Sequence, residues 1–203
     1  HQTKVHDTHN TMMACKIWGI KATDIMQGVV YGTRFSKENI LKPEYHTRLD
    51  FDECFGTVIN RFVCQAVIDH PLTIYGSGKQ TRSFIPLIDS MQCMRIAIDN
   101  PPSKHEYRTL NQFENTYSVN ELASVVKKNA EKNFNLNCSI NYIKNPRLEP
   151  EDHYYNPDRV NLTNLGYLPT TDIDETVRNM LEDLIPHKNR IKSKKDILVP
   201  KIT

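Results

Sequence analysis

Between Leu72 and Asp99 the chain runs a short apolar strand, a glycine turn, a second strand and a capped helix without a break, and that order limits what it can fold into. Leu72 to Tyr75 and Arg82 to Leu87 have strand length and apolar content, with Gly76-Ser77-Gly78 turning between them. Asp89, followed three residues later by Gln92, predicts a capping box that opens a helix over 90–99, and Asn100-Pro101-Pro102 ends it. The same alternation continues on both sides. Residues 4–18 read as a helix closed by Gly19, and Ala22 to Tyr31 as one mainly apolar strand entering a turn at Gly32. Val58, Ile59, Phe62, Val63, Ala66 and Val67 recur at helical spacing, which predicts a helix over 57–69. Tyr107 to Phe113 is a strand; Ser118 with Glu121 forms a second capping box, with Tyr117 and Leu122 as its hydrophobic staple, for a helix to about residue 133. Ser139 to Ile143 is a strand, and Ile173, Val177, Met180, Leu181 and Leu184 mark a last amphipathic helix after an Asp172 cap. Residues 33–55 and 144–157 read as polar loops. Strands alternating with helices imply an α/β fold with a mostly parallel sheet.

Composition narrows the class. With 203 residues and 38% hydrophobic content the chain has enough apolar material for a folded core. No apolar run approaches the roughly 20 residues that cross a bilayer, so no membrane insertion is expected. The five cysteines form no Cys-x-x-Cys pair, which argues against a zinc ribbon and a disulfide-stapled fold. A net charge of +2 gives no nucleic-acid footprint. His1, His6 and His9 lack carboxylate or cysteine partners at ligand spacing and read as solvent or interface residues. The run Lys188 to Lys195 reads as a solvated basic tail. The seven glycines never form Gly-x-x-Gly-x-x-Gly or Gly-x-Gly-x-x-Gly, so the phosphate turn of a complete dinucleotide fold is missing from this sequence.

Two arginines suit an anionic ligand. Arg82 follows the glycine turn, and a guanidinium can grip a diphosphate through two parallel hydrogen bonds. Arg147 is a natural second gripper, although each also reads as a surface ion-pair partner. Thr73 and Tyr75 stand on the strand before the turn, where a ligand role and a core role are both open.

The stretch from Ile74 to Asp89, read with Gln27-Gly28-Val29-Val30-Tyr31-Gly32, resembles the C-terminal half of an extended short-chain dehydrogenase/reductase. Finer matches, Phe55-Gly56-Thr57-Val58-Ile59-Asn60-Arg61-Phe62, Thr47-Arg48-Leu49-Asp50-Phe51-Asp52, Asn111-Gln112-Phe113 and Ser118-Val119-Asn120-Glu121-Leu122-Ala123, are similar to the UDP-sulfoquinovose synthase family. So are Trp18-Gly19-Ile20 and His153-Tyr154-Tyr155-Asn156. His1-Gln2-Thr3-Lys4 resembles the end of a Tyr-x-x-x-Lys motif whose tyrosine would stand just before His1. The chain departs from the family pattern at Lys79 and Ser83, where glycines are usual, and over Phe35 to His46.

The resemblance implies a Rossmann-type parallel sheet lacking its N-terminal nucleotide-binding part. It implies an NAD-binding lobe over 1–31 and 84–115, a smaller UDP-sugar lobe over 32–83 and 116–185, and the basic tail over 186–203. It implies NAD as cofactor, and UDP-glucose and sulfite as substrates. Oxidation at C4 would acidify the C5 proton, water would leave from C6, sulfite would add to the enone, and C4 would be reduced again. Lys4 and His1 would be catalytic: a lysine ammonium near a phenol lowers its pKa from about 10 and makes it a usable base. Lys4, Gln27, Gly28 and Val29 would border the nicotinamide. Arg48, Thr57 and His1 would border the glucose and sulfite, Thr73 and Tyr75 would meet the uracil largely through backbone groups, Arg82 and Arg147 would hold the diphosphate, and Asn60, Gln80 and Glu149 would also bind substrate. A homodimer through the Lys4 helix, involving Met12, Met13 and Cys15, is expected, as is a soluble protein of prokaryotic cytoplasm or plastid stroma. These residues alone are expected to be inactive. The alternatives are a UDP-glucose 4-epimerase or 4,6-dehydratase, and a non-catalytic nucleotide-binding relative.

Overall fold

Helix α1 (Gln2–Trp18) opens the fold, and strand β1 (Ala22–Gln27) follows it. The computed structural model describes residues 2–36, 48–52, 55–145 and 155–198. Gly19 ends α1 as the spacing predicts: its N–H donates to the Cys15 carbonyl at 3.1 Å and its φ is +68°.

The expected single strand from Ala22 to Tyr31 is two strands. β1 pairs in parallel with β5 (Tyr107–Gln112) from Ala22 opposite Tyr107 to Gln27 opposite Gln112. β2 (Val29–Tyr31) pairs instead with β4 (Thr81–Pro86), Val29 lying opposite Phe84. Gly28 is the point of divergence. Its N–H donates to Gln112 O at 2.8 Å, and a Cβ there would stand 3.0 Å from the carbonyl oxygens of both Gln112 and Ser83. A glycine lets the two neighbouring backbones close in from either side.

β4 also pairs antiparallel with β6 (Asn115–Ser118), a strand too short and polar to show in the sequence. β3 (Leu72–Tyr75) pairs in parallel with β7 (Ile140–Ile143). The helices α2 (Val58–Val67), α4 (Val119–Phe134) and α6 (Ile173–Leu184) bury their apolar stripes together. Ser118 and Glu121 form the expected reciprocal capping box, and the Asp172 carboxylate accepts from Glu175 N–H. A second, smaller core gathers Ile85, Cys93, Leu110, Leu162 and Tyr167 between β4, β5, α3 (Leu87–Asp99) and α5 (Val160–Asn164). Phe84 faces the larger core and Ile85 the smaller, because successive strand side chains point to opposite faces.

Three expectations are corrected. Asp89 is not the N-cap: α3 begins at Leu87 with Pro86 at its N-cap, which places Asp89 in the first turn. There its buried carboxylate turns inward to accept from the N–H and hydroxyl of Thr170. The basic run is not a free tail, since Lys188–Lys192 (α7) and Lys195–Leu198 (α8) are helical, and Ile191 and Leu198 are 4% and 0% exposed in the larger core. Cys15 is buried within the chain rather than offered to a partner. Among the described residues no helix is long and apolar enough to cross a membrane.

Candidate functional site

Where β1 and β2 part company, a cleft of about 860 Å³ opens at the C-terminal end of β1. Open α/β sheets bind ligands at such points, because the strands diverge and leave a crevice outside their carboxyl ends. One wall is α1, contributing Lys4, Thr8 and Thr11; the floor holds Asp24, Gln27, Gly28 and Ser83. Phe113 and Tyr155 line the remainder with Asn111, whose amide donates to Asp158 O at 2.7 Å.

Asp24 ties the wall to the floor. Its Oδ2 accepts from the Thr8 hydroxyl at 3.0 Å and from the Tyr107 hydroxyl at 2.5 Å, joining α1, β1 and β5 through one carboxylate. Thr8 lies four residues after Lys4, so the bond that anchors Thr8 also sets the face on which Lys4 meets the cleft. Burial, and then its bond to the Asp24 carboxylate, push the Tyr107 phenol above its usual pKa. Neither Asp24 nor Thr8 was picked out from the sequence. A lone carboxylate inside an otherwise apolar strand, and a hydroxyl one helical turn beyond Lys4, were the available signals.

Gln27 reaches the cleft from the last position of β1 and donates through Nε2 to Ser90 Oγ at 3.4 Å. Behind it, Ser90 and Gln112 are both buried and bonded to each other. Val29 faces the larger core instead of the cleft. The Ser83 hydroxyl is buried without a hydrogen-bond partner among the described residues.

The remaining sequence candidates form a separate group around α2 and β3. Thr57 caps α2, its hydroxyl accepting from Asn60 N–H at 3.3 Å. Asn60 donates to Asp50 O at 3.0 Å, and Arg48 pairs with the Asp50 carboxylate at 2.7 Å while remaining 77% exposed. Thr73 is held inside: its hydroxyl accepts from Gln65 Nε2 at 2.8 Å and its N–H donates to Gln65 Oε1 at 3.0 Å. The Arg61 guanidinium, absent from the sequence candidates, stacks 4.3 Å over the Tyr75 ring and donates to Thr73 O at 3.0 Å. Gln80 donates to Tyr75 O at 3.2 Å, and Arg82 donates to Thr81 O at 2.8 Å. Asn60 Oδ1 and Gln80 Oε1 are buried without a hydrogen-bond partner among the described residues, leaving two acceptors in this group. His1, Arg147 and Glu149 lie outside the described residues.

No protein-family profile matches the chain. Its sequence is 47% identical over 201 residues to UDP-sulfoquinovose synthase of Sulfolobus acidocaldarius, covering 99% of this chain and 50% of that protein. It is 44% identical over 194 residues to the chloroplastic UDP-sulfoquinovose synthase of Spinacia oleracea, covering 96% of this chain and 40% of that protein. UDP-glucuronic acid decarboxylase 2 of Arabidopsis thaliana is more distant, at 30% over 141 residues, 68% of this chain and 29% of that protein. The chain spans about half the length of the curated relatives it matches. Among solved structures, a UDP-N-acetylglucosamine 4-epimerase from Methanobrevibacter ruminantium superposes at a TM-score of 0.69 with 17% identity over 91% of this chain and 52% of that one. A UDP-glucuronic acid 4-epimerase from Bacillus cereus, solved with UDP-glucuronic acid and NAD, gives 0.65 with 21% identity over 95% of this chain and 52% of that one. These likenesses establish a Rossmann-type epimerase/dehydratase fold. By the extent of its sequence matches, the chain belongs to the UDP-sulfoquinovose synthase family.

Proposed function

We propose that this chain forms the sugar-binding portion, and one wall of the cofactor site, of an enzyme that makes UDP-sulfoquinovose from UDP-glucose and sulfite with NAD as a recycled cofactor. The observation that carries the reading is the near end-to-end match to two synthases from an archaeon and a plant. The cleft fits the nicotinamide-ribose end of NAD in three respects. Its volume of about 860 Å³ lies in the range of small-ligand sites, an exposed amide stands at the end of β1, and a lysine projects from the adjacent helix.

NAD, when bound, supplies the reversible two-electron oxidation at the sugar. The chain's own residues do the rest. Lys4 holds the ribose and favours the ionised form of a neighbouring phenol. His1 carries a proton beside it, and Gln27 and Gly28 flank the nicotinamide. Arg48, Thr57 and His1 border the glucose and the sulfite, and Thr73 and Tyr75 mark the uracil end, where the backbone groups of Thr73 are already bonded to Gln65 and Arg61. Asn60 and Gln80 bind substrate through amide oxygens left without a partner among the described residues. Arg82 and Arg147 hold the diphosphate, where paired guanidinium groups offset its charge, and Glu149 is a further substrate-binding residue. The division into a cofactor lobe and a sugar lobe is part of this reading; the two cores cut across it, with Tyr31 and Phe84 in the larger and Leu162 and Tyr167 in the smaller. Exposed Met13, Ile17 and Trp18 on α1 support self-association along that helix. The compartment is a plastid stroma in a photosynthetic eukaryote, or the cytoplasm in a prokaryote.

The test is to incubate the native full-length protein with UDP-glucose and sulfite and weigh the nucleotide-sugar product by mass spectrometry. A sulfonated UDP-hexose supports the synthase reading. UDP-galactose at unchanged mass means a 4-epimerase, and no conversion means a binding module.

A further inference from the structure

The direction of the hydrogen bonds behind Gln27 is fixed from their buried end. Gln112, fully buried, donates through Nε2 to the backbone carbonyl of Ser90 at 3.0 Å. A carbonyl oxygen only accepts, so the nitrogen of Gln112 must face it and Oε1 must face the other way. That oxygen meets Ser90 Oγ at 3.4 Å, and because an amide oxygen cannot donate, the single proton of the Ser90 hydroxyl is spent on it. Ser90 Oγ can then only accept from its remaining neighbour, Gln27, whose Nε2 stands 3.4 Å away. The other end of the Gln27 amide is left for the cleft, in which Gln27 is exposed.

We propose that Gln112 and Ser90 are positioning residues that turn the Gln27 carbonyl oxygen into the cleft, so that the site selects a ligand bearing an N–H or O–H donor at the end of β1. The inference rests on the reading of the cleft as a dinucleotide and sugar site and adds a specificity element to it. Two groups in that reading have the required chemistry, the carboxamide N–H of a nicotinamide and a hydroxyl of the sugar. Gln27, Ser90 and Gln112 come from β1, α3 and β5, so the device is built only when the sheet and the helix beneath it are assembled.

The test measures dissociation constants for matched pairs on the native full-length protein by calorimetry. NAD is compared with 3-acetylpyridine adenine dinucleotide, in which a methyl replaces the amide nitrogen. UDP-glucose is compared with its 4-deoxy and 6-deoxy analogues. In the wild type, one analogue binds roughly tenfold more weakly than its parent, the scale of one hydrogen bond made in a shielded site. Which pair shows the loss identifies the donor. In Ser90→Ala the ratio falls to about twofold, because the amide is free to turn, and in Ser90→Thr, which keeps the hydroxyl, it returns to roughly tenfold. Gln27→Leu, which leaves the buried pair intact, also removes the discrimination. Ratios near one throughout the wild type overturn the proposal. So does a Ser90→Ala ratio that stays at roughly tenfold while Gln27→Leu abolishes it, since Gln27 would then act without the network. If the wild type binds neither NAD nor UDP-glucose, the functional reading itself fails and takes this inference with it.

Discussion

Replacing Gly28 with alanine tests the claim that the strand switch is held by close backbone contact. The added methyl would lie 3.0 Å from Gln112 O and Ser83 O and 3.3 Å from Phe113 Cβ. Ordinary carbon–oxygen contacts between strands are about 3.3–3.6 Å, so both carbonyls must give by roughly 0.3–0.6 Å. Gln112 O has little freedom to retreat, because it accepts from Gly28 N–H at 2.8 Å. Overpacking of this kind costs about 1–3 kcal/mol. The stiffer unfolded chain of an alanine variant returns about 0.4–1 kcal/mol. The difference is centred on about 1.3 kcal/mol of net loss, which for a chain of this size lowers Tm by roughly 3–5 °C. Thermal melts followed by circular dichroism, with parent and variant scanned at one rate, give the number. A Gly28→Ala variant that melts at or above the parent refutes the argument, because no relaxed packing of both carbonyls leaves the switch as described.

Ending the chain after His187 removes Ile191 and Leu198 from the larger core and the Leu198 carbonyl that accepts from Gln65 Nε2 at 3.3 Å. Two buried aliphatic side chains are worth roughly 3–6 kcal/mol, so the urea midpoint falls steeply, whereas removal of a solvated tail would leave it unchanged. Asp24→Asn keeps the shape of the side chain and removes the charge that accepts two hydroxyl protons. About 1–3 kcal/mol is lost, and amide exchange quickens in α1 while the strands of the larger core stay protected. Two carboxylates give opposite pH effects. Lys128 and then Asn129 hold Asp174 below the usual carboxylate range, so its contribution is complete above about pH 4–5 and disappears as pH falls through the lowered folded value. Burial raises Glu114 despite the Tyr117 hydroxyl at 3.0 Å, so its contribution is complete below its unfolded pKa and is lost as pH rises through the folded value. Urea midpoints across pH for Asp174→Asn and Glu114→Gln should therefore lose dependence on opposite sides, and loss on the same side contradicts the assignment.

The helices were legible because their signal is local. Val58 to Val67 and Ile173 to Leu184 repeat apolar residues at helical spacing, and both lay those residues on the same core. The Ser118 box was legible for the same reason, since both partners lie in one turn. The Asp89 box failed although its spacing is the same. Pro86 starts α3 earlier, Asp89 falls three residues into the helix, and two donors of Thr170, remote in sequence, take its carboxylate. Ile191 and Leu198 were hidden by the lysines around them, and because they stand on two separate short helices no single helical period marks them. The candidate site divided along the same line. Gln27 and Gly28 stand at the recognisable strand end and Lys4 on the helix before it, and they line one cleft. Ser90 and Gln112 meet only through tertiary packing, and no spacing in the sequence announces them.

The strand switch explains why the cleft exists. A strand that kept one neighbour from Ala22 to Tyr31 would present a closed edge, with its ladder continuous and no crevice at its end. Because β1 follows β5 and β2 follows β4, the backbone must pass between two carbonyls at Gly28, and the gap left beside that passage is where Lys4, Gln27 and Ser83 converge. The residue that permits the close approach therefore also sets the position of the amide before it. Gln27 cannot shift along β1 without moving Gly28 out from between Gln112 O and Ser83 O, and Gln112 is the same residue whose side chain, through Ser90, turns the Gln27 amide. Backbone and side chain of Gln112 thus act on neighbouring residues of one strand end. A substitution at Gly28 should then alter ligand discrimination as well as stability, whereas an equally destabilising change in the larger core, such as Val177→Ala, should alter stability alone.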